Sequence, residues 1–219
     1  MIKAVIFDMD GVIVNSEKHH ADLENRIFKE LGLEISKEEH ESFVGTGSYY
    51  MWGTLKEKYS IPFKVEELIK KNRDEFLEYV SKDGMIVPIN GVENILKFIK
   101  DKGLKTAVAS SSPLNFIEKV MDTIEVRDYF EELVTGDYVK RSKPEPDIFL
   151  YAAEKLGVKP EECIVIEDSR NGVIAAKKAN MKAIGYKDEN SRGQNLDKAD
   201  IVIKSFNDDE IRDFIIDLI

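Results

Sequence analysis

Ala4-Val5-Ile6-Phe7-Asp8-Met9-Asp10-Gly11-Val12 opens the chain almost at once. Four apolar residues bounded by charge predict a buried strand over Lys3 to Phe7. The two carboxylates that follow are costly there, because a buried charge needs a partner or a metal. Extended backbone alternates its side chains with period two, so Asp8 and Asp10 point the same way. Like charges that close require a cation between them or a shared proton. The sharp reading is a divalent-metal site with a reactive carboxylate; the plain one is a pair of turn or helix-cap carboxylates.

Outward from this stretch the chain divides into two styles. From Glu17 to about Val80 the pattern is helical. Leu23, Ile27, Phe28 and Leu31 form one apolar stripe closed by Gly32. Ser36 with Glu39 predicts a capping box, and Gly45-Thr46-Gly47 a helix break. Val65, Leu68, Ile69, Asn72, Phe76, Tyr79 and Val80 predict a long amphipathic helix in which Asn72 is the polar member. After Pro88, strands and helices alternate. Strands are expected at Leu104–Ala109, Leu133–Val134, Cys163–Ile166, Lys182–Ile184 and Ile201–Ile203. Between them, helices follow Ser112-Pro113, run from Asp147 to Leu156 and from Gly172 to Ala179, and close the chain.

Such alternation predicts an α/β fold, a Rossmann-like parallel sheet in a three-layer α/β/α sandwich. The first strand must join that sheet, since nothing near it in sequence can pair with it. The helical block is then an insertion, a small cap over the carboxyl edge. The expected division is a core of residues 1–15 plus 84–219 and a cap of 16–83, linked by Val14–Ser16 and the segment around 81–90.

Composition narrows the function. The 219 residues carry 32 basic and 42 acidic side chains, a net charge of −10. An acidic chain is a poor wrapper of nucleic acid or of an anionic membrane. An anionic substrate would need a local positive field from a metal, lysines or helix N-termini. Cys163 is the single cysteine, so no intramolecular disulfide forms. No apolar run approaches the roughly 18 residues of a membrane span. Met1-Ile2-Lys3 leads directly into the first strand, and the expectation is a cytoplasmic monomer or weak homodimer.

In open α/β sheets ligands bind beyond the carboxyl ends of the strands. Those positions hold Asp8 and Asp10, then Ser110-Ser111-Ser112, then the loop with Lys143-Pro144, then Glu167-Asp168. Asp8-Met9-Asp10-Gly11-Val12, Ser110, Lys143-Pro144-Glu145-Pro146-Asp147, and Glu167-Asp168-Ser169 with Asn171-Gly172 together resemble the haloacid dehalogenase superfamily. The likeness is to its β-phosphoglucomutase-like phosphatases, in the family's order and over nearly the whole chain.

The resemblance implies that Asp8 attacks a phosphoryl group and that Asp10 protonates the leaving oxygen and later takes a proton from water. It implies Mg²⁺ held by Asp8, the Asp10 backbone carbonyl and Asp168, with Glu167 orienting Asp168 or a metal-bound water. Ser110 and Lys143 would contact the phosphoryl oxygens, and Gly11 would let backbone N–H groups approach them. Ser111 is a further contact candidate. In the cap, His20, Thr46, Gly47 and Ser48 are the candidates for substrate contact. The plain readings are a solvated His20, a solvated basic run around Lys140-Arg141-Lys143, and helix N-caps at Ser110, Ser111 and Ser112.

The implied activity is a Mg²⁺-dependent phosphatase for a small phosphorylated metabolite, with a sugar phosphate in front. A β-phosphoglucomutase-type phosphomutase comes second, because the segment Val44–Ser48 lacks the arginine that grips a distal phosphate, although Arg73 is a substitute. A non-catalytic phosphate-binding module and haloacid dehalogenation rank lower, since the first needs no complete motif set and the second has no use for Asp10 and Asp168.

Overall fold

The computed structural model of the protein describes residues 1–43, 46–80, 86–187 and 194–219, without the side chains of Glu17, Lys18, His20, Tyr79 and Val80. Among the described residues, six strands form one parallel sheet: β1 (Ala4–Phe7), β2 (Lys105–Ser110), β3 (Glu132–Thr135), β4 (Cys163–Glu167), β5 (Lys182–Tyr186) and β6 (Ile201–Ile203). Their spatial order is β3-β2-β1-β4-β5-β6. The order reverses at β1, which pairs with β2 through Phe7 opposite Val108 and with β4 through Phe7 opposite Ile166. The crevice at such a reversal is where this architecture binds ligands, and β1 ends there in Asp8.

Alternation along β1 explains the layering. Val5 and Phe7 join an apolar cluster with Ile95, Phe116, Val120 and Ile211. Ala4 and Ile6 face the opposite cluster, with Phe149, Ala152, Val173 and Ala176. Both faces are apolar because both are covered by helices. α5 (Val92–Asp101), α6 (Leu114–Thr123) and α9 (Asp209–Ile216) supply the first layer; α7 (Asp147–Leu156) and α8 (Arg170–Lys178) supply the second. The expected three-layer α/β/α fold is the observed one. Among the described residues no helix is long and apolar enough to cross a membrane.

The helical block comprises α1 (Glu17–Glu30), α2 (Lys37–Glu41), α3 (Ser48–Tyr59) and α4 (Val65–Val80). Gly32 follows α1 with φ +69°, a conformation glycine adopts without strain. Ser36 Oγ accepts from Glu39 N–H at 3.2 Å, the N-cap half of the expected capping box. Trp52 is fully buried and meets Phe28 edge-on at 5.5 Å, tying α3 to α1. Phe76 of α4 meets Phe116 of α6 at 4.9 Å, so the apolar cluster runs on from the block into the sheet layer.

The two linkers lie side by side. Val14 bridges Pro88, and Ile89 N–H donates to Ile13 C=O at 2.8 Å. Residues 81–85 of the second linker, like Val44 and Gly45 of the helix break, lie outside the described residues. One local expectation shifts: Pro113 occupies the N-cap of α6 rather than its first turn. Extended backbone there (ψ 151°) leaves the serines before it free to serve the strand end instead of the helix.

Candidate active site

Asp8 continues the β1 ladder, its N–H donating to Ile166 C=O at 3.0 Å. The chain must turn sharply after it. Gly11 supplies the turn with φ +82°, and its N–H donates to Val14 C=O at 2.8 Å. A Cβ on Gly11 would lie 2.0 Å from Asp168 Oδ2. The missing side chain therefore lets the Asp168 carboxylate pack directly on the loop that carries Asp8 and Asp10.

Lys143 is buried between two acids. Its Nζ donates to Asp8 Oδ1 at 2.5 Å and to Glu167 Oε1 at 2.7 Å, lies 3.3 Å from Ala109 C=O, and sits over the Phe149 ring at 4.9 Å. The Lys143–Pro144 peptide is cis. Burial pushes the Asp8 carboxyl up, to about 8; Lys143 opposes that push, while Glu167 and Asp10 add to it. Burial works to strip the Lys143 proton, but Asp8 and Glu167 outweigh it and hold the ammonium above its ordinary range. One buried ammonium among three carboxylates leaves net negative charge, which a further cation would balance.

Asp10 occupies a different setting. Its Oδ1 accepts from Ser16 Oγ, and its Oδ2 accepts from Ser112 Oγ at 3.0 Å and Ser110 Oγ at 3.3 Å. Ser110 Oγ in turn accepts from Ser112 N–H at 3.0 Å. The N-cap reading of these serines gives way to a hydroxyl cluster around Asp10, because Pro113 has taken the cap position.

Glu167 accepts three hydrogen bonds from protein donors. Beside Lys143, its Oε2 accepts from both the N–H and the Oγ of Ser169 at 2.8 Å. Gly172 is what permits this, since a Cβ there would overlap the Glu167 carboxylate at 1.7 Å. Glu167 is thus aimed at Lys143 rather than at Asp168.

A hard divalent cation prefers carboxylate and carbonyl oxygens. Asp8 and Asp168 present such oxygens across Gly11, with the Asp10 carbonyl on the same loop, and this donor set fits Mg²⁺. Among the described residues no three His, Cys, Asp or Glu side chains close as a preformed metal cage. That agrees with Asp10 and Glu167 having turned their carboxylates to serines and lysine.

Asp8, Asp10, Ser110, Ser111, Lys143, Glu167, Asp168, Thr46 and Ser48 line one cleft of about 670 Å³ that lies between the sheet edge and α1–α4. Gly47 lines a smaller neighbouring cleft, where a Cβ would lie 2.5 Å from Ser142 Oγ. The His20 side chain lies outside the described set. Arg73 is tied across the cavity mouth to Asp137, at 3.0 Å. Arg141 pairs with Asp147 at 2.7 Å on the surface, as the solvated reading of that basic run implies. Residues to which sequence reasoning gave no site role also converge here: Ser16, Ser112, Ser169 and, in the cavity's helical wall, Glu24, His40 and Asn72. Ser16 and Ser112 adjoin noted positions, whereas the wall residues carry no sequence signal beyond Asn72 on an apolar stripe.

The family model described as haloacid dehalogenase-like hydrolase matches residues 5–186, well over half of the chain. The chain is a haloacid dehalogenase-like hydrolase. This hydrolase is 33% identical over 183 residues to the "Phosphorylated carbohydrates phosphatase" of Thermotoga maritima, covering 84% of each chain. It is 32% identical over 213 residues to the "Beta-phosphoglucomutase" of Bacillus subtilis, covering 94% of this chain and 91% of that one. CbbY from Rhodobacter sphaeroides, solved in complex with phosphate, superposes with a TM-score of 0.84 at 28% identity, over 95% of the hydrolase and 96% of CbbY.

Proposed function

We propose that this hydrolase is a Mg²⁺-dependent phosphatase that removes the phosphoryl group of a small phosphorylated carbohydrate through an aspartyl-phosphate on Asp8. The observation that carries the reading is the separation of two neighbouring carboxylates into different environments. Asp8 is buried against a lysine, and Asp10 is held by three hydroxyls. Environments that differ give two like groups separate tasks, and Lys143 with a bound cation would hold Asp8 ionised as the nucleophile against the push of burial.

In the first step an Asp8 oxygen bonds to phosphorus and the ester P–O bond breaks. Asp10, protonated, gives its proton to the departing alkoxide. In the second step water attacks phosphorus, Asp10 takes its proton back, and the acyl-phosphate bond breaks to release inorganic phosphate. Lys143 and Ser110 hold phosphoryl oxygens in line, and Glu167 with Ser169 holds Lys143. Asp8, Asp168 and the Asp10 carbonyl would hold Mg²⁺, which would supply positive charge for the developing phosphoryl oxyanions. Residues 16–83 serve as a cap that excludes water during the first step and admits it for the second. Thr46 and Ser48 line the cavity from the helical block, and Gly47 lines the neighbouring cleft.

The test is phosphate release from a panel of phosphoesters with Mg²⁺, comparing the wild type with Asp8→Asn. The reading expects a loss on the order of 10⁴-fold or more in kcat. No release across the panel by folded wild type, or full activity in Asp8→Asn, overturns it. A phosphomutase is the second reading, favoured by the likeness to the Bacillus subtilis enzyme. Against it stands Arg73, already engaged by Asp137, with no other cation in the segment Val44–Ser48. Bisphosphate-dependent conversion of β-glucose 1-phosphate to glucose 6-phosphate would reverse the order.

A further inference from the structure

We propose that Glu24, His40 and Asn72 form a hydroxyl-reading wall, and that the preferred substrate is a monophosphate whose far end is an uncharged polyhydroxy chain. The inference rests on the phosphatase reading above and names its substrate class and specificity residues. The three side chains come from three different helices, α1, α2 and α4, and meet at one place on the cavity surface. Glu24 Oε2 lies 2.5 Å from His40 Nε2, and Asn72 Nδ2 donates to Glu24 Oε1 at 3.4 Å. The His40 ring is held edge-on by Phe28 at 5.2 Å.

A polar group at a helix junction is a poor choice for packing alone. Apolar side chains of similar size hold helices at least as well as a buried polar set. Asn72 is only 8% exposed, on a stripe otherwise apolar in sequence. What the set offers is unused hydrogen-bonding capacity. A carboxylate accepts about four hydrogen bonds and a carboxamide both donates and accepts, so these contacts leave lone pairs and an N–H for a ligand. Vicinal hydroxyls, each donor and acceptor, match that mixture.

Charge argues against a second anion. Among the described residues lining the cavity, each lysine or arginine already faces a carboxylate: Lys143 faces Asp8 and Glu167, Arg73 faces Asp137 at 3.0 Å, and Lys37 faces Glu41 at 3.6 Å. Among the described residues Arg73 Nε keeps a buried N–H without a partner, but Asp137 already meets the guanidinium charge, so a distal phosphate there would compete with that carboxylate. A hydroxyl group has no such competitor. Sites built to hydrogen-bond a hydroxyl discriminate strongly against analogues that lack it.

The experiment measures kcat and KM with Mg²⁺ for sorbitol 6-phosphate, glucose 6-phosphate, fructose 1,6-bisphosphate and p-nitrophenyl phosphate. The proteins are the wild type, Glu24→Gln and Asn72→Leu, each with a recorded melting curve. The wild type should favour the polyhydroxy monophosphates over the bisphosphate. Both variants should lose roughly 10- to 100-fold in kcat/KM on those monophosphates, mainly through KM, while p-nitrophenyl phosphate stays within about twofold. A preference for the bisphosphate, or an equal loss on every ester, overturns the wall as a specificity element. If one variant melts early, the near-isosteric other carries the same comparison. Hydrolysis of p-nitrophenyl phosphate without any polyol preference sinks this inference alone; absence of all Mg²⁺-dependent hydrolysis sinks the phosphatase reading with it.

Discussion

Gly11 meets two demands at once: a φ of +82° and an empty space into which Asp168 packs. Left-handed backbone costs an L-residue roughly 1–2 kcal/mol, and the added methyl would also displace the Asp168 carboxylate. Gly11→Ala should therefore lower kcat by about 100-fold, the scale of a 1 Å misplacement, with only a modest drop in melting temperature. Unchanged kcat would show that the Asp168 position does not matter to the chemistry. Lys143 gives a complementary case. Lys143→Met leaves Asp8 and Glu167 buried without their cation, a loss of about 3–5 kcal/mol by urea denaturation. Adding Glu167→Gln removes one of the stranded charges, so the double variant should regain part of that stability. If it is no more stable than the single variant, the two carboxylates are not coupled through Lys143.

At the scale of elements, Asp200 fastens α8 to β5. It accepts from Lys177 Nζ at 2.6 Å, Ala183 N–H at 2.8 Å and Lys182 Nζ at 3.1 Å. Burial pushes its carboxyl up, but these three donors prevail and hold it below the ordinary carboxylate value. A lowered native pKa means that the unfolded chain binds the proton more readily. The stabilisation is complete above about pH 4 and fades as pH falls through the native pKa. Asp200→Asn should be roughly 1 kcal/mol less stable than wild type at pH 7. The gap should close in acid; a constant gap would assign the effect to packing.

The elements themselves were largely legible in the sequence. Apolar runs between glycines located all six strands to within two residues, because a parallel sheet buried on both faces leaves little ambiguity in its pattern. The strand-end residues Asp8, Ser110, Glu167 and Asp168 line one cavity because β2, β1 and β4 are neighbours in the sheet, and the Lys143 loop folds back over their ends. The rest depended on tertiary placement. Ser112 turned to Asp10 rather than capping α6, and Glu24 met His40 across two helices. No local spacing encodes either contact.

For the whole molecule, the proposed opening of the helical block can be tested at its boundary with the sheet. Gly47 and Ser142 touch across that boundary, with a Gly47 Cβ placed 3.3 Å from Ser142 Cβ. The pair Gly47→Cys with Ser142→Cys should form a disulfide that fastens the block shut. Cys163 will not interfere, since burial pushes its thiol up to about 12. Turnover should fall at least about tenfold on oxidation and return on reduction, if opening is needed in each cycle. Full turnover in the oxidised form would rule out obligatory opening. Ser16 gives this motion a chemical side. It is both the N-cap residue of α1, where the block begins, and a donor to Asp10. A carboxylate holds such a donor more tightly than a neutral acid does, so the protonation of Asp10 and the seating of α1 are thermodynamically linked. If α1 moves as the cap reading requires, Asp10 would lose this donor. One hydroxyl thus ties the first turn of the helical block to the carboxylate proposed as the proton carrier.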